Sequence, residues 1–216
     1  MSADLTTERI VSLSSQLLAL HRVRYRQTVS VVGLKRRLRL AAAALDQCEY
    51  LDLNRAEFEQ LFSFLGQLLD QDPQIFSVPK SRIHGDLWWP NIIAATGEAY
   101  LIDWDELTRA DPAEDIARLR GHMWQAQNSF PSRNFFWSSA DDGPRVAALM
   151  VQIASDHEAE LGGKLVQRLQ FYLPLYGLEQ LAALTRGRRT GIVPIASARC
   201  IAAGRRSAGF SPKFRG

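Results

Sequence analysis

Two short stretches hold side chains whose types and spacing could do chemistry. The first is His84-Gly85-Asp86-Leu87-Trp88-Trp89-Pro90-Asn91, and the second, with its Asp103 twelve residues after the asparagine, is Leu101-Ile102-Asp103-Trp104-Asp105. Transfer of a phosphoryl group from ATP asks a protein for a carboxylate to orient the attacking hydroxyl and for hard oxygen ligands to hold Mg²⁺ on the phosphates. Asp86 suits the first task, and Asn91 with Asp103 the second. Each of these residues alone also reads as an ordinary turn or cap group. Only elements that bring them together would make them a site.

Ile92 to Ala95 and Ala99 to Asp103 are short apolar runs, and Thr96-Gly97-Glu98 between them is a turn sequence, which predicts a β-hairpin. Asn91 and Asp103 then share its open end. Opposite residues of paired strands lie about 4.5–5.5 Å apart. Two side-chain oxygens there can share one ion at about 2.0–2.1 Å. Asp86 lies on the loop entering the first strand. Downstream, Asp111-Pro112-Ala113-Glu114-Asp115 reads as a helix start, with Asp111 as cap, Pro112 at the first helical position and Glu114 placed for a capping box.

At these residues the chain resembles the aminoglycoside phosphotransferase and choline kinase family, relatives of the protein kinases. His84, Asp86 and Asn91 match a His-x-Asp-x-x-x-x-Asn catalytic loop, Ile102-Asp103-Trp104 matches the metal-binding Asp in its Ile-Asp-aromatic setting, and Asp111 to Asp115 matches the helix start after the metal loop. The likeness is clear from about Pro79 to Leu119. It implies catalytic roles for Asp86 and, through hydrogen bonds that hold the loop, His84. It implies ATP and Mg²⁺ binding by Asn91 and Asp103, and structural support of the loop by a buried Asp115. Asp105 and Glu106 read as solvated or supporting carboxylates rather than metal ligands. Trp88, Trp89 and Trp104 either flank a substrate pocket or pack beside the hairpin.

Kinases of this kind carry a small β-sheet lobe before the catalytic loop, with a phosphate-covering loop and a lysine. Here the upstream residues read as helices. Ile10, Leu13, Leu17, Leu18 and His21 share one face, Leu38 to Leu45 suggests a second helix, and Phe58, Leu61, Phe62, Leu65, Leu68 and Leu69 a third. No Gly-x-Gly-x-x-Gly or Gly-x-x-x-x-Gly-Lys-[Ser/Thr] occurs. Lys35 is the one lysine near a β-like run, Val31 to Lys35, and with Arg36, Arg37 and Arg39 it reads as a solvated basic face. The small lobe is thus expected to be absent, the chain being a fragment or a reduced relative, with a partner as another source of the lobe.

Beyond the hairpin, helices are expected over Asp115–Gln127, Arg145–Leu161 (ended by Gly162-Gly163), and Lys164–Tyr172, with Pro174 forcing a break or kink before Leu178–Leu184 resumes. Asn128 to Pro144 reads as a long loop anchored by Phe130, Phe135, Phe136 and Trp137. In the family such an insertion contributes to the acceptor pocket. Arg186, Arg188, Arg189, Arg199, Arg205, Arg206, Lys213 and Arg215, set among Gly, Ser and Pro, read as a basic, partly disordered tail.

The 216 residues, 46% of them hydrophobic, suffice for one domain with a core. Two cysteines, Cys48 and Cys200, give neither a disulfide framework nor a zinc site, so a reducing compartment, the cytoplasm, is expected. No signal peptide or membrane-spanning run is evident. The net charge of +3 is segregated: residues 1–40 and 180–216 each hold eight Lys/Arg, and residues 41–179 carry −11. An acidic site would attract a cationic acceptor, although the same charges would also solvate helix surfaces. The basic ends lack a nucleic-acid recognition motif, so nucleic acid is not the expected partner.

The expected fold class is α+β, mainly helical: a protein-kinase-like C-terminal lobe over residues 1–185 with a small catalytic hairpin, followed by the tail, 186–216. The expected function is ATP-dependent transfer of the γ-phosphoryl group to a small-molecule hydroxyl acceptor. A non-catalytic scaffold built on the same lobe is the main alternative. A phosphohydrolase using His84 and Asp86 as metal ligands is a weaker one, because such centres need more ligands than this stretch offers.

Overall fold

The computed structural model describes residues 7–47, 55–95, 97–129 and 142–187. Along the chain the elements are α1 (Thr7–His21), β1 (Arg24–Thr28), α2 (Val31–Asp46), α3 (Arg55–Gln71), β2 (Pro79–Ile83), β3 (Ile92–Ala94), β4 (Ala99–Leu101), β5 (Thr108–Ala110), α4 (Pro112–Ser129), α5 (Asp142–Leu161) and α6 (Leu165–Gly187). The mainly helical α+β class expected from the sequence is what forms. None of the helices, among the described residues, is long and apolar enough to cross a membrane.

The helices face inward as their periodicity dictates. α1 buries Leu13, Leu17 and His21, α2 buries Leu34, Leu38, Ala41 and Leu45, and α3 buries Leu61, Leu65 and Leu69. With Phe76, Ile116, Leu119, Phe171, Leu175 and Leu178 they build one apolar core. α4 and α6 approach closely because Gly121 has no side chain: a Cβ there would lie 2.8 Å from the Tyr176 ring. Charged groups tie the same layer together. Arg37 of α2 spans Glu114 of α4 at 2.9 Å and Glu179 of α6 at 2.9 Å, and Arg168 of α6 meets the buried Asp111 at 2.8 Å.

Two small sheets lie against this helical body. β3 and β4 form the expected hairpin, Ile92 opposite Leu101 and Ala94 opposite Ala99. β1, β2 and β5 form an antiparallel sheet with β2 in the middle, Arg82 opposite Arg109 and Ile83 opposite Thr108. The chain thus leaves β2, makes the loop and hairpin, and returns beside β2 as β5. Both ends of the motif-bearing stretch are fixed to each other by strand pairing.

This three-stranded sheet was not legible in the sequence. Arg-Tyr-Arg-Gln-Thr, Pro-Lys-Ser-Arg-Ile and Thr-Arg-Ala lack an alternating apolar pattern, and pairing rather than propensity makes them strands. Nor is Val31 to Lys35 a β-like run: it is the first turn of α2, started by Ser30, whose Oγ accepts from the Gly33 amide at 3.1 Å. Of the break or kink expected at Pro174, the break does not occur: α6 continues through it. The cost of about 3 kcal/mol for an internal proline is met by burial of Phe171, Tyr172, Leu175 and Leu178 on either side. α4 starts at Pro112, α5 starts at Asp142, and Gly162 and Gly163, at φ 65° and 79°, follow the end of α5. The expected loop over 128–144 is therefore shorter at both ends, and its aromatic anchors lie outside the described residues, as does the tail beyond Gly187.

Because Ser30 occupies the amide that opens α2, Ser30→Ala should lower stability by about 1 kcal/mol. Ser30→Asp should retain most of it, as read by urea denaturation.

Candidate active site

β2 delivers the chain into a tight turn at Gly85, whose φ is +84°. Only glycine fits, since a Cβ would stand 2.2 Å from the Glu106 carbonyl oxygen. The loop after β2 and the loop before β5 thus touch backbone to backbone. His84 locks them together: its imidazole is buried, Nε2 donates to the Ile102 carbonyl at 2.9 Å, and Trp104 covers the ring with centroids 4.8 Å apart. His84 is turned into the protein rather than toward solvent. Trp104, 42% exposed, acts as its lid.

A single turn of 3₁₀ helix at Trp89–Asn91 brings Asn91 back beneath Asp86. The Asn91 Nδ2 donates to the Asp86 carbonyl at 2.9 Å and to its Oδ2 carboxylate oxygen at 3.2 Å. The Asn91 carbonyl accepts from the Ile102 amide at 2.9 Å, which carries the hairpin ladder one step past its last strand residue. Asp103 comes next, exposed, with φ +60°, a left-handed conformation that Asp tolerates better than most residues. Asp86 and Asn91 are therefore in direct contact. Asp103 is held at the same end of the hairpin through Ile102.

The donor set fits a hard divalent cation. Asn91 spends its nitrogen on Asp86, so its Oδ1 could serve as a ligand, and the exposed Asp103 carboxylate could supply another. Two such oxygens suit an ion that keeps phosphate and water ligands. No cluster of three or more His, Cys, Asp or Glu able to hold a metal forms among the described residues. The inward bond of His84 to the Ile102 carbonyl engages the Nε2 that the phosphohydrolase alternative would need as a metal ligand. Asp105 and Glu106 are exposed on the same loop.

Asp115 holds the loop from behind. Its Oδ2 accepts from the His84 amide at 2.7 Å and its Oδ1 from the Gly85 amide at 3.0 Å. Burial pushes this carboxyl up, but the His21 imidazole and the two amides outweigh it and hold it below its ordinary range. Here the structure adds residues that sequence reasoning missed. His21 of α1 lies 3.0 Å from Asp115 through Nε2 and 2.7 Å from His157 of α5 through Nδ1, and His157 Nδ1 meets the Ile153 carbonyl at 2.7 Å. Burial and the neighbouring His21 pull His157 down to about 4. The available signal was His21 itself, a polar residue in the inward stripe of α1, which must find a partner. The Glu114 expected in a capping box instead turns to Arg37, while Asp111 caps α4 through the Ala113 amide at 3.0 Å.

The profile of a phosphotransferase enzyme family, APH, matches residues 1–150. A comparison with curated protein sequences found no match. Similar solved structures include choline kinase LicA from Streptococcus pneumoniae, at TM-score 0.61 and 14% identity over 97% of this chain and 66% of that one. A glucosamine kinase gives 0.61 and 13% over 93% and 52%. Amicoumacin kinase hAmiN, in complex with AMP-PNP, Ca²⁺ and Ami, gives 0.59 and 14% over 96% and 60%. At such identities the likeness is one of fold, and it agrees with the kinase-like lobe expected from the sequence. The chain spans from 52% to 66% of the length of these three structures.

Two outcomes follow from the loop's construction. Gly85→Ala should cost about 2–4 kcal/mol in denaturant unfolding, since it adds a backbone clash to a left-handed conformation. The second concerns pH. An unfolded histidine takes up its proton near 6.5, whereas folded His157 does so only near 4. In that window the unfolded chain binds more protons. The contribution is complete above pH 6.5 and is lost as pH falls toward 4, by up to roughly 3 kcal/mol. His157→Gln should flatten this part of the stability profile.

Proposed function

Since the chain belongs to the APH phosphotransferase enzyme family, we propose that its site transfers the γ-phosphoryl group of ATP to a hydroxyl of a small molecule. The observation that carries this reading is the Asn91 side chain, bonded to the Asp86 carboxylate at 3.2 Å while its backbone is paired to the residue before Asp103. One residue thereby fixes the proton acceptor relative to the metal ligands.

In this mechanism the acceptor hydroxyl donates to the Asp86 carboxylate, and its oxygen forms the new bond to the γ-phosphorus. The bond from phosphorus to the β-bridging oxygen breaks in line, ADP leaves, and the proton passes from Asp86 to solvent. Asn91 Oδ1 and Asp103 are the residues that would hold Mg²⁺, which when bound neutralises charge on the phosphates. His84 and Asp115 keep Asp86 in place without touching substrate.

The acceptor we infer is cationic, because Asp105 and Glu106 are exposed on the loop beside Asp86. Choline kinase and glucosamine kinase among the fold neighbours agree with an acceptor of that size and charge. Ile102, Trp104 and Leu107 are also exposed at this end of the hairpin, and Ile93 and Tyr100 on its strands. A strand-rich lobe from a second body, closing over them, would complete the nucleotide pocket. We place the reaction in the cytoplasm, where ATP is supplied and Cys48 and Cys200 stay reduced.

Calorimetric titration with Mg·ATP tests the assignment. Binding should require both Mg²⁺ and Asp103, and Asp103→Ala should abolish it. Asp86→Ala should leave binding nearly unchanged and lower transfer about 10²–10⁴-fold. Transfer by Asp86→Ala at the unaltered rate would sink the mechanism. Absence of heat up to millimolar ATP would turn the reading toward a fragment that binds nucleotide only with its strand-rich lobe, or toward a non-catalytic scaffold.

A further inference from the structure

Three hydrogen bonds run in line from α5 through α1 to α4: Ile153 carbonyl to His157 at 2.7 Å, His157 to His21 at 2.7 Å, and His21 to Asp115 at 3.0 Å. All three side chains are buried to 1% exposure or less. Each bond needs one proton, and the protons can be counted. The Ile153 carbonyl can only accept, so His157 carries a proton on Nδ1. A second proton lies between His157 Nε2 and His21 Nδ1, and a third between His21 Nε2 and Asp115 Oδ2. Three protons on two imidazoles and one carboxyl give zero net charge, wherever along the line each proton sits.

The ends of the line decide where the charge lies. Asp115 accepts from two backbone amides, which favours its ionised form. The histidine pair then carries one positive charge. Of its two rings, His21 is the one in contact with the carboxylate. The other carboxylate beside the pair, Asp156 of α5, is engaged by Ser14 of α1 and by Gln152.

We propose that His21 is a positioning residue: as an imidazolium steadied by neutral His157, it keeps Asp115 ionised and aimed at the His84 and Gly85 amides, and so fixes where Asp86 stands. Calling that loop catalytic rests on the phosphotransferase reading given above, but the clamp itself does not. A merely space-filling pair of histidines would hold the helices together without setting the charge at Asp115.

Nuclear magnetic resonance of the full chain at pH 7 tests this without turnover. Long-range ¹⁵N–¹H correlation should show His21 protonated on both ring nitrogens and His157 as the Nδ1–H tautomer. A neutral His21 facing a protonated Asp115 would overturn the proposal. In His21→Met the amides of His84 and Gly85 should exchange about 10- to 100-fold faster, the scale of losing charge-assisted hydrogen bonds, while amides in α6 keep their protection. His157→Gln, whose carbonyl oxygen can still accept from His21, should retain most of the slow exchange. Unchanged exchange at His84 and Gly85, or a uniform rise across the chain, would overturn it. Should His21→Met fail to fold, the tautomer measurement and His157→Gln decide alone. Mg·ATP titration of the same samples separates the two readings: a loosened loop in the variant with no nucleotide binding in the wild type would uphold the clamp and overturn nucleotide binding by this chain on its own.

Discussion

A carboxylate with no water around it must find its hydrogen bonds in the protein, and Asp115 finds three: two backbone amides of the loop that carries Asp86 and one imidazole. The position of the loop is therefore the position of this carboxylate, which in turn depends on the first turn of α4. That turn is anchored on two sides by ion pairs, Asp111 with Arg168 of α6 and Glu114 with Arg37 of α2. Burial pushes both acids up, against the pull of their arginines. Buried pairs of this kind are weak contributors to stability, because desolvation consumes much of the attraction. Their directionality is another matter. An apolar contact can slide, whereas a buried carboxylate displaced from its donors loses them outright. The polar groups around α4 specify one loop geometry, and the leucine core supplies the favourable burial.

Backbone geometry imposes a second constraint on the same place. The chain turns sharply at Gly85 and at Asp103, the two positions of positive φ that flank the hairpin. The carbonyl of Glu106 occupies the space where a side chain at position 85 would be. With β2 and β5 paired beyond both loops, the path from Ile83 to Thr108 is closed on itself. Asp86, Asn91 and Asp103 can then keep their relative places although Asp103 is exposed. Rigidity comes from the closure rather than from burial of these three side chains.

The site was legible in the sequence to the extent that its geometry is local. Asn91 reaches Asp86 across one short turn, and the hairpin pairing follows from two apolar runs and a glycine-centred turn, so spacing alone placed them. Helices with a regular apolar stripe, such as α3, were legible for the same reason. What escaped depends on contacts far apart in the chain. β1, β2 and β5 are strands because they pair with one another, and their arginines conceal the pattern. Val31 to Lys35 is β-branched at its start yet helical, because the Ser30 cap and the buried Leu34 outweigh local preference. The proline of α6 is tolerated for a tertiary reason that no local rule contains.

The histidines mark the limit of the same logic. His21 and His157 are 136 positions apart, and their spacing suggests neither a metal site nor a catalytic pair. Brought together, they solve a problem that a lysine or arginine in place of His21 would solve less well. A permanent cation beside Asp115 would satisfy the carboxylate, but its remaining donors would need acceptors in an apolar interior. Imidazole has two nitrogens, and each meets a partner. The second imidazole passes the chain of bonds to a backbone carbonyl, which cannot ionise and so ends it without a residual charge. The brace behind Asp86 is thereby extended from α4 through α1 to α5 with every ring nitrogen in use, which ties the loop to the packing of three helices rather than one.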